Sequence, residues 1–128
     1  MSLFKNIFGS SEEQTSVSKL NWIMFTDLGQ LNEIIDLSHE KPVLIFKHST
    51  RCSISRFALK QFENEYDLDD NITLYFLDLL NHRDISNEIT SRFEVEHQSP
   101  QVLLIKEGKC IFNASHSSID ADNLKKYI

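Results

Sequence analysis

Two hydrophobic periods meet at His48-Ser-Thr-Arg-Cys52. Upstream, Val43, Leu44, Ile45 and Phe46 form a continuous apolar run with β-branched members, the pattern of a strand covered on both faces, as inside a parallel sheet. Downstream, Ile54, Phe57, Ala58, Phe62 and Tyr66 recur at helical spacing and define an expected inner helix face. A strand that hands over to a helix leaves Cys52 at or near the helix N-terminus, where unpaired backbone N–H groups favour an anion.

The same patterns order the rest of the chain. Residues Met1 to Ser18 read as an arm, flexible or amphipathic, with Leu3, Phe4, Ile7 and Phe8 on one helical face; two turns bury too little to hold a helix alone. Residues 19–128 read as one domain. Trp22 to Phe25 predicts a short strand, and Thr26-Asp27 offers an N-cap for a helix with Leu28, Leu31, Ile34 and Ile35 inward. Pro42 closes that helix. Asp67 to Asn71 is a turn, Ile72 to Leu77 a strand, and Asp84 can cap a helix carrying Ile85, Ile89 and Phe93. Val102 to Ile105, the tight turn Glu107-Gly108 and Lys109 to Phe112 predict an antiparallel hairpin. A last helix from about Asp120 has Leu124, Tyr127 and Ile128 available for burial.

Strands alternating with helices and ending in a hairpin imply an α/β fold: a central mixed sheet flanked by helices. A chain of 128 residues is long enough for one domain with a hydrophobic core and too short for two ordinary ones. Lys and Arg number 13 against 19 Asp and Glu, a formal charge of −6 with no basic run, so nucleic acid and stable membrane association are not expected. Two cysteines make no disulfide framework, which fits a reducing compartment. The N-terminal residues lack the apolar core and cleavage site of a signal peptide, and no apolar run approaches the ~20 residues that span a bilayer. A cytoplasmic protein is expected.

The chemistry concentrates at Cys52. A thiolate, not a thiol, is the nucleophile, and helix N-termini and nearby cations stabilise it; Arg51 and Arg56 are close in sequence, and His48 is a candidate neighbour. Cys52-Ser53-Ile54-Ser55 keeps the attacking cysteine of a redox C-x-x-C but puts a hydroxyl where the second sulfur stands. Such a site forms mixed disulfides and closes no local one. Two roles for Ser55 stay open, a first-turn polar residue or a hydrogen bond to the Cys52 sulfur. Cys110, beside Ile111 and Phe112, reads as a packed small hydrophobe rather than a resolving thiol. His48, His97 and His116 are candidates to gather near Cys52, but their spacing matches no standard zinc pattern, so no metal is expected.

The element order, with a reactive cysteine after the second strand and a proline before the penultimate one, resembles the thioredoxin fold; Ser99-Pro100 then stands where that fold carries its cis-proline loop, against the active-site cysteine. The likeness is closer still. His48-Ser-Thr-Arg-Cys52-Ser-Ile-Ser55 resembles the H-S-T-x-C-P-I-S site of the monothiol, YtxJ-like bacilliredoxins. Val95-Glu-His97-Gln-Ser99-Pro100-Gln101 is similar to their V-x-H-x-S-P-Q, and Ser115-His116 with Ile119 and Leu124 to their S-H-x-x-I-x-x-x-x-L. The resemblance runs from about Leu20 to Ile128. It departs at Ser53, where the family has a proline pre-organised for the first helical turn.

The resemblance implies removal of bacillithiol from S-bacillithiolated client proteins, with Cys52 as nucleophile. Thr50, Arg51, Ser53, Ser55, His48, His97, Ser99 and Pro100 are implied as supporting or substrate-binding residues, and bacillithiol as a thiol co-substrate with no bound cofactor. Exchange with another low-molecular-weight thiol such as glutathione is the alternative chemistry. A non-catalytic thioredoxin-fold binding module is the alternative class; the iron-sulfur-binding monothiol glutaredoxins carry C-G-F-S, which Ser53 and Ile54 do not match.

Overall fold

The computed structural model describes residues 20–128; the N-terminal arm read from the sequence lies outside the described residues. Among the described residues five strands and three α-helices follow in the order β1 (Ile23–Met24), α1 (Gln30–Leu37), β2 (Val43–His48), α2 (Ser53–Glu65), β3 (Thr73–Asp78), α3 (Arg83–Phe93), β4 (Gln101–Lys106) and β5 (Lys109–Ser115). Short 3-10 turns cover Asp69–Asn71, His116–Ser118 and Ala121–Tyr127. The strands form one mixed sheet in the order β1-β3-β2-β4-β5, parallel from β1 through β3 to β2 and antiparallel from β2 through β4 to β5.

All six residues of β2 are buried, because the strand sits in the middle of the sheet with helices on both faces. Its alternation divides the core. Val43 and Ile45 point with Leu103, Ile105 and Leu77 into the layer of α1 and α3, where Leu31, Ile34, Ile85 and Ile89 pack. Leu44 and Phe46 point the other way, toward Ala58 and Phe62 of α2 and toward Ile119, Ala121 and Leu124. On this second face Trp22 packs its ring against Phe46, Phe62 and Phe76, with centroids 5.6–5.9 Å apart, and donates its indole N–H to Glu63 at 2.8 Å.

Turn chemistry sets the hairpin. Glu107 and Gly108 both have positive φ, 52° and 78°, the two-residue geometry whose twist matches antiparallel strands. The turn is tied to the end of α1: Ser38 O accepts the N–H of Glu107 and Ser38 Oγ that of Gly108, both at 2.9 Å.

The inner face of α2 differs from the one its apolar spacing predicts. Ile54 and Phe57 are 58% and 70% exposed, whereas Ser55, Ala58 and Phe62 are buried. The helix is rotated so that the Ser55 hydroxyl enters the interior, where it has partners. Smaller differences occur elsewhere. Leu28 lies outside α1 and is exposed, since Asp27 Oδ1 accepts the Gly29 N–H at 3.1 Å and closes a turn before the helix begins. Asp84 lies in the first turn of α3 rather than capping it. The C-terminal segment is 3-10 rather than α-helical, with Leu124 buried and Ile128 exposed.

The rotation of α2 has a measurable consequence. Phe62→Ala is expected to lower unfolding stability by about 3–5 kcal/mol, while Phe57→Ala stays within about 0.5 kcal/mol of the parent. Urea unfolding of the two variants checks this; equal losses would contradict the observed helix face.

Candidate active site

Cys52 occupies the N-cap position of α2 in an extended conformation (φ −105°, ψ 122°) and is half-buried. The first helical hydrogen bond runs from the Arg56 N–H to the Cys52 carbonyl at 3.1 Å, so the N–H groups of Ser53, Ile54 and Ser55 precede the helical ladder, the position at which helices receive anions. The turn before it is closed by the Cys52 N–H donating to Ser49 O at 3.2 Å. Arg56 Nη1 donates to Thr50 O at 3.0 Å, folding its guanidinium back along the same loop. Thr50, Arg51 and Ser53 are exposed around the cysteine.

Beneath this loop lies a buried polar pair. Ser55, with no exposed surface, accepts the Ser49 N–H at 3.0 Å and stands 2.8 Å from His48 Nδ1. Ser49 fills one lone pair of the hydroxyl, and the bond between Ser55 Oγ and His48 Nδ1 takes its direction from the imidazole tautomer. Of the two roles left open for Ser55, it is a polar residue of the first turn of α2, and its hydroxyl is a strut between His48 and the Ser49 backbone rather than a partner of the Cys52 sulfur. His48 is held against Phe76 and Phe46, at centroid distances of 5.3 and 6.4 Å. Burial pushes its pKa down and Arg56 adds to that, while Asp78, its neighbour across the strand pair, and Glu63 oppose.

His97 does not join His48. Lys47 and His48 are adjacent in β2 and project to opposite faces, and His97 is on the Lys47 side, with Nδ1 2.7 Å from Lys47 Nζ and 3.4 Å from Ser86 Oγ. The sheet itself separates the two imidazoles. His116 is exposed, and its N–H donates to the Pro100 carbonyl at 3.1 Å. The Ser99–Pro100 peptide bond is cis. β4 runs antiparallel to β2 with Lys47 opposite Gln101, so one further step of the register sets Pro100 beside His48 and the loop that carries Cys52. Among the described residues no group of three or more His, Cys, Asp or Glu is placed to hold a metal ion, and no helix is long and apolar enough to cross a membrane.

Cys110 is at the other end of the sheet. It pairs with Ile105, which pairs with Val43 at the start of β2, whereas Cys52 follows the end of that strand. The intervening strand alone spans roughly 16 Å, and a disulfide needs Cα atoms within about 7 Å. The Cys110 thiol is half-buried, donates to Phe112 O at 3.3 Å, and has its pKa raised by burial.

Lys47 is the residue that sequence reasoning missed. It is wholly buried, yet it reads in the sequence as the polar end of an apolar strand. Desolvation lowers its pKa from 10.5 to about 8. His97 is also lowered, first by desolvation and then by the charges of Lys47 and Arg83.

Solved structures share this architecture. A protein described as an oxidoreductase with a thioredoxin fold matches with a TM-score of 0.70 and 30% identity, over 81% of this chain and 90% of that one. The Nicotiana alata thioredoxin NaTrxh matches with a TM-score of 0.66 and 17% identity, over 91% and 96%, and the Malassezia sympodialis thioredoxin with 0.65 and 17%, over 91% and 95%; these two bear on the fold alone. The family model described as monothiol bacilliredoxin BrxC matches residues 23–124. With Cys52 at a strand-to-helix junction, the chain belongs to the monothiol bacilliredoxin family and is a thiol-disulfide oxidoreductase of thioredoxin-like fold.

Proposed function

We propose that this protein removes bacillithiol from S-bacillithiolated proteins in the cytoplasm, with Cys52 as the single redox sulfur. The observation that carries the reading is the placement of the two cysteines: one half-buried at the start of α2, the other beyond reach at the far end of the sheet. In the first step the Cys52 thiolate attacks the bacillithiol sulfur of the mixed disulfide. The Cys52–S–S–bacillithiol bond forms as the client S–S bond breaks, and the client leaves as a thiolate. In the second step the thiolate of a free bacillithiol attacks the bound bacillithiol sulfur, releasing Cys52 thiolate and oxidised bacillithiol. Each step is a two-electron exchange with no net gain of electrons, and its rate follows thiolate fraction, nucleophilicity and leaving-group acidity.

The neighbours have distinct tasks in this scheme. Arg51 and Thr50 are exposed beside the sulfur and available to an anionic, polar thiol. Ser53 stands in the first helical position where the family pattern has proline. Ser55 and His48 hold the loop from below, and Ser99 and Pro100 present backbone to the client.

Intact mass after incubation with oxidised bacillithiol, with oxidised glutathione in parallel, tests the reading. One bacillithiol adduct is expected on wild type, none on Cys52→Ser, and an undiminished adduct on Cys110→Ser. An adduct with glutathione alone would move the substrate and keep the chemistry; no adduct with either would leave a binding module. Ser55→Ala is expected to cost about 1–3 kcal/mol in urea unfolding, since it strands the Ser49 N–H and His48 Nδ1; unchanged stability would remove Ser55 from its role as a strut.

A further inference from the structure

Burying a lysine in the middle strand of a sheet is costly, and among the described residues no carboxylate pairs with Lys47. Its ammonium instead donates to His97 Nδ1 at 2.7 Å and to Gln101 Oε1 at 3.1 Å. Both acceptors belong to the segment that leads through Ser99–Pro100 into β4. Gln101, itself buried, holds the same segment twice more: its Nε2 donates to Glu96 O at 3.0 Å, and its Oε1 accepts the Gln98 N–H at 3.4 Å. Pro100 O is fixed from the other side by the His116 N–H. Every hydrogen bond of the Lys47 amine therefore goes to the loop that stands beside Cys52.

The charge works against the fold. Because the folded pKa of about 8 lies below 10.5, the folded state binds fewer protons than the unfolded state between these values, and stability from this group rises with pH across that window. At neutral pH the buried ammonium destabilises, so its retention is not explained by packing. The surroundings of His97 agree in direction: burial first, then the charges of Lys47 and of Arg83 at the start of α3, lower its pKa, which favours the neutral ring that can accept from an ammonium.

We propose that Lys47 is a positioning residue for thiol exchange: by clamping His97 and Gln101 from below, it fixes the backbone of the Gln98–Pro100 loop, on which the disulfide-bearing segment of a client protein is held. This rests on the exchange function proposed above. In-line attack requires the client disulfide to be oriented on Cys52, and a neighbouring backbone held at one position supplies that orientation. Small reagents that reach the sulfur directly do not need it.

The test uses Lys47→Met and His97→Ala in the full chain. Three quantities are measured: amide hydrogen exchange at residues 96–101, steady-state turnover of a peptide carrying a mixed disulfide with bacillithiol, and alkylation of Cys52 by iodoacetamide. Lys47→Met is expected to melt no lower than wild type, to lose protection in the loop, and to raise KM for the peptide roughly tenfold, the scale of one charge-assisted hydrogen bond. Its kcat stays within about twofold, and its alkylation rate matches wild type. Wild-type loop protection and KM in Lys47→Met would overturn the proposal, as would a joint fall in melting temperature, kcat and affinity. Should Lys47→Met fail to fold, His97→Ala decides, since that side chain lies at the surface: it loses loop protection and raises KM, or the clamp is wrong. A wild type that exchanges with no disulfide sinks the proposed function; a wild type that exchanges while both variants match it sinks only the clamp.

Discussion

The structure depends on the alternation of one strand. β2 is hydrogen-bonded on both edges and buried on both faces, so each of its side chains must enter one of two closed layers. For Val43 to Phe46 this builds the two halves of the core. For Lys47 and His48 it sends two polar groups into opposite interiors, and neither can be left without a partner, because a buried polar group without one costs about 1–3 kcal/mol. His48 finds Ser55 on α2; Lys47 finds His97 and Gln101. The end of one strand thus anchors both segments that border Cys52, the helix start from one layer and the loop before β4 from the other.

This division explains what was legible in the sequence. The order of strands and helices, the hairpin and the position of Cys52 follow from changes of hydrophobic period, which survive folding because each element has a face to bury. The phase of α2 does not follow from hydropathy. Ile54 and Phe57 are the most apolar residues of the first turns, yet a serine takes the inner position because its hydroxyl satisfies the Ser49 N–H and His48 together. A hydropathy scale ranks Ser55 as an outer residue, so only knowledge of its partners reverses the assignment.

The histidines fail for a related reason. His48, His97 and His116 belong to motifs that converge on one end of the sheet, and convergence in sequence motifs implies proximity without saying which side of the sheet each ring takes. Register answers that: His48 shares a face with Phe46, and His97 caps Lys47. Lys47 was hidden by its own position, since a lysine after four apolar residues is what an emerging strand end looks like. The extra two residues of β2, Lys47 and His48, are buried only because α2 and the loop before β4 close over them.

The same topology bears on how the proposed cycle must be completed. A dithiol enzyme carries its resolving sulfur one helical turn from the nucleophile, so release of the product is intramolecular. Here that position is Ser55, already committed to holding the loop, and the remaining cysteine lies a full strand length away. The Cys52 mixed disulfide therefore has no internal route back. Its lifetime is set by the concentration and acidity of an external thiol, which makes access to Cys52 from solvent as important as the reactivity of its sulfur. The exposed Thr50, Arg51 and Ser53 around a half-buried cysteine meet that requirement, and the buried contacts of Ser55 hold the start of that loop from beneath.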